Sequence, residues 1–352
     1  MRHHVLHPHS PFRIFAFSAT ATVGALVWSI WERGWGALAL TAILIAVEVA
    51  FSFDNAIVNA KILARMSRFW QNMFLTVGAA IAIFGMRIIF PIVIVAITAS
   101  LGFKEVLDLA TNHPDEYAHE LEKAHAPLSA FGGAFLMMLA MHFFVDSREV
   151  RWYDRLERRL QQLAATWAPA AITTVALLIA WAVPANHHKK ETLVAGAIGI
   201  VVYSAIHFLT SYFEKIQRRN MGNKIQVQVG MAAFVSFMYL EILDASFSFD
   251  SVLGAFAVTK DIVLIAIGLG VGALWVRSLT IFMVRRGTLN NYRYIDHGAH
   301  YTITVLATIL LLSIFIRVPE VITGLTGVGI IAASILASKQ ALTDANKPAS
   351  AK

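Results

Sequence analysis

Long apolar runs alternate with short polar stretches along this chain. Ten such runs, at 14–31, 35–58, 70–101, 129–147, 163–183, 192–213, 225–257, 261–284, 300–316 and 319–338, have lengths near or beyond the roughly 20 apolar residues that a helix needs to cross a hydrocarbon core. The pattern predicts an all-α fold, a polytopic helical membrane protein with about ten transmembrane helices. The run 70–101 is too long for one straight crossing and predicts tilt or a kink near Pro91. Trp28, Trp31 and Trp35 follow the first run as an interfacial belt would, which marks an anchored helix rather than a signal peptide.

Composition agrees with that reading. Of 352 residues, 57% are hydrophobic and 14% charged, too few charges to face a soluble surface of this size. The absence of Cys excludes disulfide frameworks, thiolate metal sites and cysteine nucleophiles. A net charge of +7 suggests a nucleic-acid partner until the positions of the basic residues are read. Twenty Lys and Arg fall in the N-terminus, 59–69, 148–162, 214–224, 285–299 and the C-terminal tail; the intervening loops hold seven. That bias is topological, so no nucleic-acid partner is expected, and both termini are placed in the cytoplasm of a multi-pass protein of the plasma (inner) membrane. The chain divides into an N-terminal transmembrane helix at 1–34, a first half at 35–213, a second half at 214–338, and a polar tail at 339–352 expected to be disordered.

Two segments repeat each other. Glu48-Val-Ala-Phe-Ser-Phe-Asp54-Asn55 aligns with Asp244-Ala-Ser-Phe-Ser-Phe-Asp250-Ser251, and each is followed by a long span with one arginine, Arg87 or Arg277. The copies lie five spans apart, an odd number, so they cross in opposite directions. Such an inverted-topology repeat is a common design of secondary transporters with midplane sites.

Glu48, Asp54, Asp244 and Asp250 lie inside apolar runs, as does Glu241 one turn before Asp244. Each acid at a helix centre costs about 2.5–3.5 kcal/mol on insertion scales, so something must offset it. On a helix, Glu48, Ser52 and Asn55 form one oxygen-bearing stripe, and Asp244, Ser248 and Ser251 repeat it. Asp54 and Asp250 would point about 120° away unless the helix unwinds at Phe-Ser-Phe-Asp. Unwinding would let both acids of each half face one point together with freed carbonyls. Four carboxylates with hydroxyl and amide oxygens and no sulfur would suit a hard divalent cation such as Mn²⁺, Mg²⁺ or Ca²⁺. A competing account pairs Glu48 and Asp244 with Arg87 and Arg277 as structural ion pairs; two arginines then leave at least two acids unpartnered.

Other residues point less sharply. His142 and His207 lie in spans and read as hydrogen-bonded interior residues; His297 and His300 follow Asp296 at the start of a span and read as interfacial. The acidic loop 102–128 reads as a solvated amphipathic helix, and Arg148 to Arg159 as a cytoplasmic helix on anionic lipid. No nucleophile elbow, phosphate-cradling loop or HExxH occurs, so no enzyme is expected.

These residues resemble the TerC family of integral membrane proteins, named for tellurium resistance, in its long subgroup, over roughly 35–338. The family's acidic residue, Ser-x-Asp-Asn and downstream Arg fall on Glu48, Ser52, Asp54, Asn55 and Arg87, and in the second half on Asp244, Ser248, Asp250 and Arg277. Ser251 replaces the second Asn, the second acid is Asp rather than Glu, and Glu241 is additional. The resemblance implies efflux of a divalent metal, manganese first, by a secondary transporter coupled to protons or to membrane potential. In that account Glu48, Asp54, Asp244 and Asp250 are ligands or proton carriers, Ser52, Asn55 and Ser248 complete the coordination, and Arg87 and Arg277 tune charge. The metal passes through, and no cofactor is bound permanently. Two alternatives stand beside it. One is a membrane scaffold whose cytoplasmic loops dock soluble stress-response proteins; the other is an exporter of small organic solutes.

Overall fold

The computed structural model describes residues 11–163, 165–221, 227–287, 292–316 and 318–345. It is 86% helical, without strands among these residues. Thirteen helices follow one another: α1 (Pro11–Phe51), α2 (Phe53–Leu63), α3 (Arg68–Thr98), α4 (Phe103–Asn112), α5 (Pro114–Lys123), α6 (His125–Val145), α7 (Asp154–Gln162), α8 (Ala168–Ala182), α9 (Lys189–Met221), α10 (Gly230–Val258), α11 (Ile262–Arg286), α12 (Ile295–Ser313) and α13 (Glu320–Ala345). Eight are long and apolar enough to cross a membrane.

The first of these is two arms. Gly34 takes φ 81° and ψ −174°, a backbone conformation that only glycine adopts without strain, and breaks the helix there. The arms then fold onto each other, with the hydroxyls of Ser29 and Thr41 2.8 Å apart. A straight helix would separate them by about 18 Å. Both arms pack along α11 in opposite senses. Ser18 lies beside Leu274 and Ser278, and Arg33 pairs with Asp261. After the turn, Leu44 meets Gly268 and Glu48 meets Gly272. The pair of runs read as 14–31 and 35–58 is therefore a pair of passes.

With those arms separated and the 15-residue α8 included, the chain makes ten antiparallel passes among the described residues. At one end lie Pro11 and the contacts Lys61–Asp296, Asn72–Arg285 and Glu214–Gln228; at the other lie Gly34, Arg33–Asp261 and Asp115–Lys260. The first and last described residues share the first of these ends. So do the described parts of the segments that carry the excess of Lys and Arg.

Some expectations are corrected in detail. Where tilt or a kink near Pro91 was expected, α3 contains wide π-turns at Phe74–Gly78 and Ile81–Ile89, with the Phe90 N–H bonded to Gly85 O. Pro91 has no N–H to bond the carbonyl of Arg87, and the wider register upstream accommodates that loss. Helix α13 runs on past Ser338 to Ala345, into the segment expected to be disordered, because Ala, Leu, Lys and Gln continue a helix readily. Residues 346–352 lie outside those described. The acidic loop 102–128 holds two short helices, α4 and α5, whose apolar faces bury Val106, Ala110, Tyr117 and Leu121 against Ile92, Val95 and Phe256. Burial pushes the Tyr117 phenol well above its ordinary range.

Candidate functional site

The two repeated segments lie side by side and run in opposite directions, on the second arm of α1 with α2 and on α10. Around them the two arginine helices, α3 and α11, close a buried polar layer. Each arginine grips the acid of its own half and also reaches an oxygen of the other half. Arg87 donates to Glu48 and, with its second terminal nitrogen, to the hydroxyl of Ser248. Arg277 donates to Glu241 Oε1 and Oε2 at 3.1 and 3.0 Å and to Asp244 Oδ2 at 2.9 Å. It also reaches the carbonyl of Phe74 at 3.1 Å and sits 4.3 Å over that ring. Glu48, Arg87, Glu241 and Arg277 are all buried, and Asp244 is partly so. Taking two charges out of water is costly, and close guanidinium–carboxylate pairing offsets much of that cost.

Glycine makes the approach reciprocal. A Cβ on Gly272 of α11 would lie 2.5 Å from the Cβ of Glu48, so only glycine lets the two helices meet there. Gly78 of α3 likewise faces the ends of Arg277 and Glu241. The arginine helix of each half thus gives way to an acid of the other.

The sequence-predicted residues fall as follows. Glu48 and Asp244 are held by separate guanidiniums, as in the ion-pair account, and Ser52 Oγ donates to Glu48 Oε1 at 3.2 Å. Ser248 completes the Arg87 contact across the halves. Asn55 is buried, with its Oδ1 unpartnered. The side chains of Asp54 and Asp250 lie outside the described residues. Among the described residues no group of three or more His, Asp or Glu is placed to share one ion. The unwinding expected at Phe-Ser-Phe-Asp is reduced to one residue in the first half, where Ser52 (φ −98°, ψ 13°) separates α1 from α2. It is absent in the second, where α10 is continuous. Hydrogen bonds from Ser52 N to Glu48 O and from Ala56 N to Ser52 O carry the helix through the first distortion, so few carbonyls are freed.

Sequence reasoning passed over several partners. Glu241, noted only as an additional acid, takes both terminal nitrogens of Arg277. Asn59 continues the stripe one turn after Asn55 and is likewise buried with a bare Oδ1. Glu157, in the segment expected to lie on lipid, is buried. It accepts from the Trp152 and Tyr153 amides and from Tyr301 Oη at 3.0 Å, and pairs with His297 Nε2 at 3.2 Å. That acid stood among five arginines in the sequence and carried no mark of burial. His300 is partly buried near the same end of the bundle: its Nδ1 lies 2.7 Å from Asp296 O and its ring stacks 3.6 Å from that of Phe143.

If every carboxylate in these clusters is ionised, Glu48 with Arg87 is neutral and Glu241, Asp244 and Arg277 together carry one negative charge. Asp54 stands in α2 and Asp250 in α10, and the apolar runs hold no further arginine. With three acids, Glu48, Glu241 and Asp244, against two arginines, the described layer holds more acid than base, and a positive ion or protons can make up the difference.

No curated protein and no solved structure matches this chain. Residues 53–343 match the family described as Protein of unknown function (DUF475), a stretch that takes in Asp54, Asn55 and both arginine helices but begins after Glu48 and Ser52. The chain belongs to that family.

Proposed function

We propose that this protein is a secondary transporter that exports a divalent metal ion, manganese first, from the cytoplasm in exchange for protons or under membrane potential. The observation that carries this reading is the buried layer in which two inverted halves interlock, with three acids, Glu48, Glu241 and Asp244, held by two arginines. The resemblance of the motifs to the TerC family favours the same class of cargo. The host is the plasma membrane, with the Lys- and Arg-rich end and both termini on the cytoplasmic side.

In this mechanism the guanidiniums are resident counter-ions. A divalent cation entering the layer takes carboxylate oxygens from Arg87 or Arg277, aided by Asp54 and Asp250 and by the Ser52, Asn55 and Ser248 oxygens. Because Arg87 bridges Glu48 of one half and Ser248 of the other, loss of its carboxylate contact loosens one half against the other. Rocking of inverted repeats about a fixed site is the established way such folds alternate access.

Uptake of Mn²⁺ into inverted vesicles, with and without a pH gradient, tests the proposal. Wild-type vesicles are expected to accumulate the ion and to respond to the gradient. Asp54→Asn and Asp250→Asn vesicles, with equal protein in the membrane, are expected to accumulate none. Equal uptake by Asp54→Asn and wild type would remove the carboxylate site from the account, and uptake of amino acids in place of metal would replace the cargo.

A further inference from the structure

A cavity of about 690 Å³ opens at the end of the bundle that carries the termini. It runs inward past Tyr203 to Tyr239, two positions before Glu241. His142 of α6 and His207 of α9 line it, 65 positions apart in the chain, with ring centres 4.4 Å apart and planes inclined by 39°. Tyr203, one turn before His207, lies against both rings at 5.2 and 5.9 Å and fixes their orientation.

Three features favour a ligand between these rings over a simple stack. The Nδ1 of His142 lies 3.2 Å from the carbonyl of Met138. An N–H donated there leaves the Nε2 lone pair free, the tautomer in which histidines bind metals. Metal–nitrogen bonds of about 2.1 Å put each ring centre about 3.2 Å from an ion, so two cis imidazoles have centres about 4.5 Å apart. The observed separation matches. Asp146, one turn after His142, lines the same cavity, where it faces Arg148 at 3.7 Å, and the open volume admits water for the remaining positions.

We propose that His142 and His207 form a two-imidazole station for a first-row divalent transition-metal ion in this cavity. Two protein nitrogens completed by water make a site that takes and releases an ion readily, as an antechamber requires. Imidazole favours such ions over Mg²⁺ and Ca²⁺, so the station would filter what reaches the carboxylate layer. This goes beyond the transport reading, occupies a different site, and is tested by binding alone.

The probe is Co²⁺, titrated by calorimetry and by its visible absorption into purified full-length protein in detergent. His3, His4, His7 and His9 in the same chain would bind it too, so His3→Gln, His4→Gln, His7→Gln and His9→Gln are present in every sample, the reference included. The reference should bind one Co²⁺ that His142→Ala and His207→Ala each weaken by about tenfold or more, the range that even outer partners of metal ligands carry. The double variant should lose little beyond either single one, and a hundredfold excess of Mg²⁺ should leave the Co²⁺ in place. The proposal is overturned if either single variant titrates like the reference, or if Mg²⁺ displaces Co²⁺. Should His142→Ala unfold, His207→Gln carries the test alone, because its ring is exposed to the cavity. Failure here leaves the Asp54 vesicle result untouched, and failure there leaves this titration untouched.

Discussion

The Arg87 and Arg277 clusters are built on the same plan, yet they differ in charge. Arg87 meets one acid, Glu48, and spends its other terminal nitrogen on a hydroxyl across the halves. Arg277 meets two acids, Glu241 and Asp244, and reaches across to a carbonyl and a ring face. With Glu48 ionised the first is a neutral, fully buried pair, in which Glu48 Oε2 and Arg87 Nε have no partner. With both its acids ionised the second carries one negative charge, with Asp244 partly open. An inverted repeat therefore does not require two equal clusters: one arginine holds a single acid and a hydroxyl across the halves, the other holds two acids.

The largest expected effect breaks the second cluster. Arg277→Met leaves the buried Glu241 and the partly buried Asp244 without a counter-ion, and a loss of about 3–5 kcal/mol is expected, read as failure to reach the membrane folded or as a collapsed Tm in detergent. Arg87→Met leaves one acid, which a single proton can neutralise, so a smaller loss of about 2–3 kcal/mol is expected. Adding Glu48→Gln to Arg87→Met should recover part of it. If the two arginine variants melt alike, the contrast in charge between the clusters is wrong.

Packing offers a milder comparison. Gly272→Ala sets a new Cβ 2.5 Å from the Cβ of Glu48, on a backbone that must then move, at an expected cost of about 1–3 kcal/mol in thermal unfolding. Gly78→Ala meets the far ends of Arg277 and Glu241 instead, which can shift, and should cost less. The smallest change is expected from Asp244→Asn. Arg277 keeps Glu241, so stability should move by less than about 1 kcal/mol, while Mn²⁺ uptake into vesicles should fall. An Asp244→Asn protein that transports normally would shift the cation role wholly to Glu241 and the acids at 54 and 250.

Much of this architecture was readable from residues. Apolar runs of fixed length mark the passes because a bilayer allows few other solutions, and an odd number of passes between two copies of Phe-Ser-Phe-Asp is enough to invert one of them. The π-turns in α3 were not readable: Pro91 shows that a hydrogen bond is lost, and packing against α10 and α11 decides how the loss is absorbed. Glu157 and the His142–His207 pair were hidden for a related reason. Periodicity gives the face of a helix on which a side chain lies, and it does not say which helix will stand opposite.

By itself, then, the order of residues determined how often the chain crosses, which end carries the positive charge and which acids are stranded in apolar surroundings, since hydrophobic length and charge cost act locally along the chain. Only the folded arrangement decided which acid each guanidinium holds. Pairing at about 3 Å depends on helix separation and rotation, and those are set where Gly272 lets Glu48 approach and where α1 doubles back at Gly34.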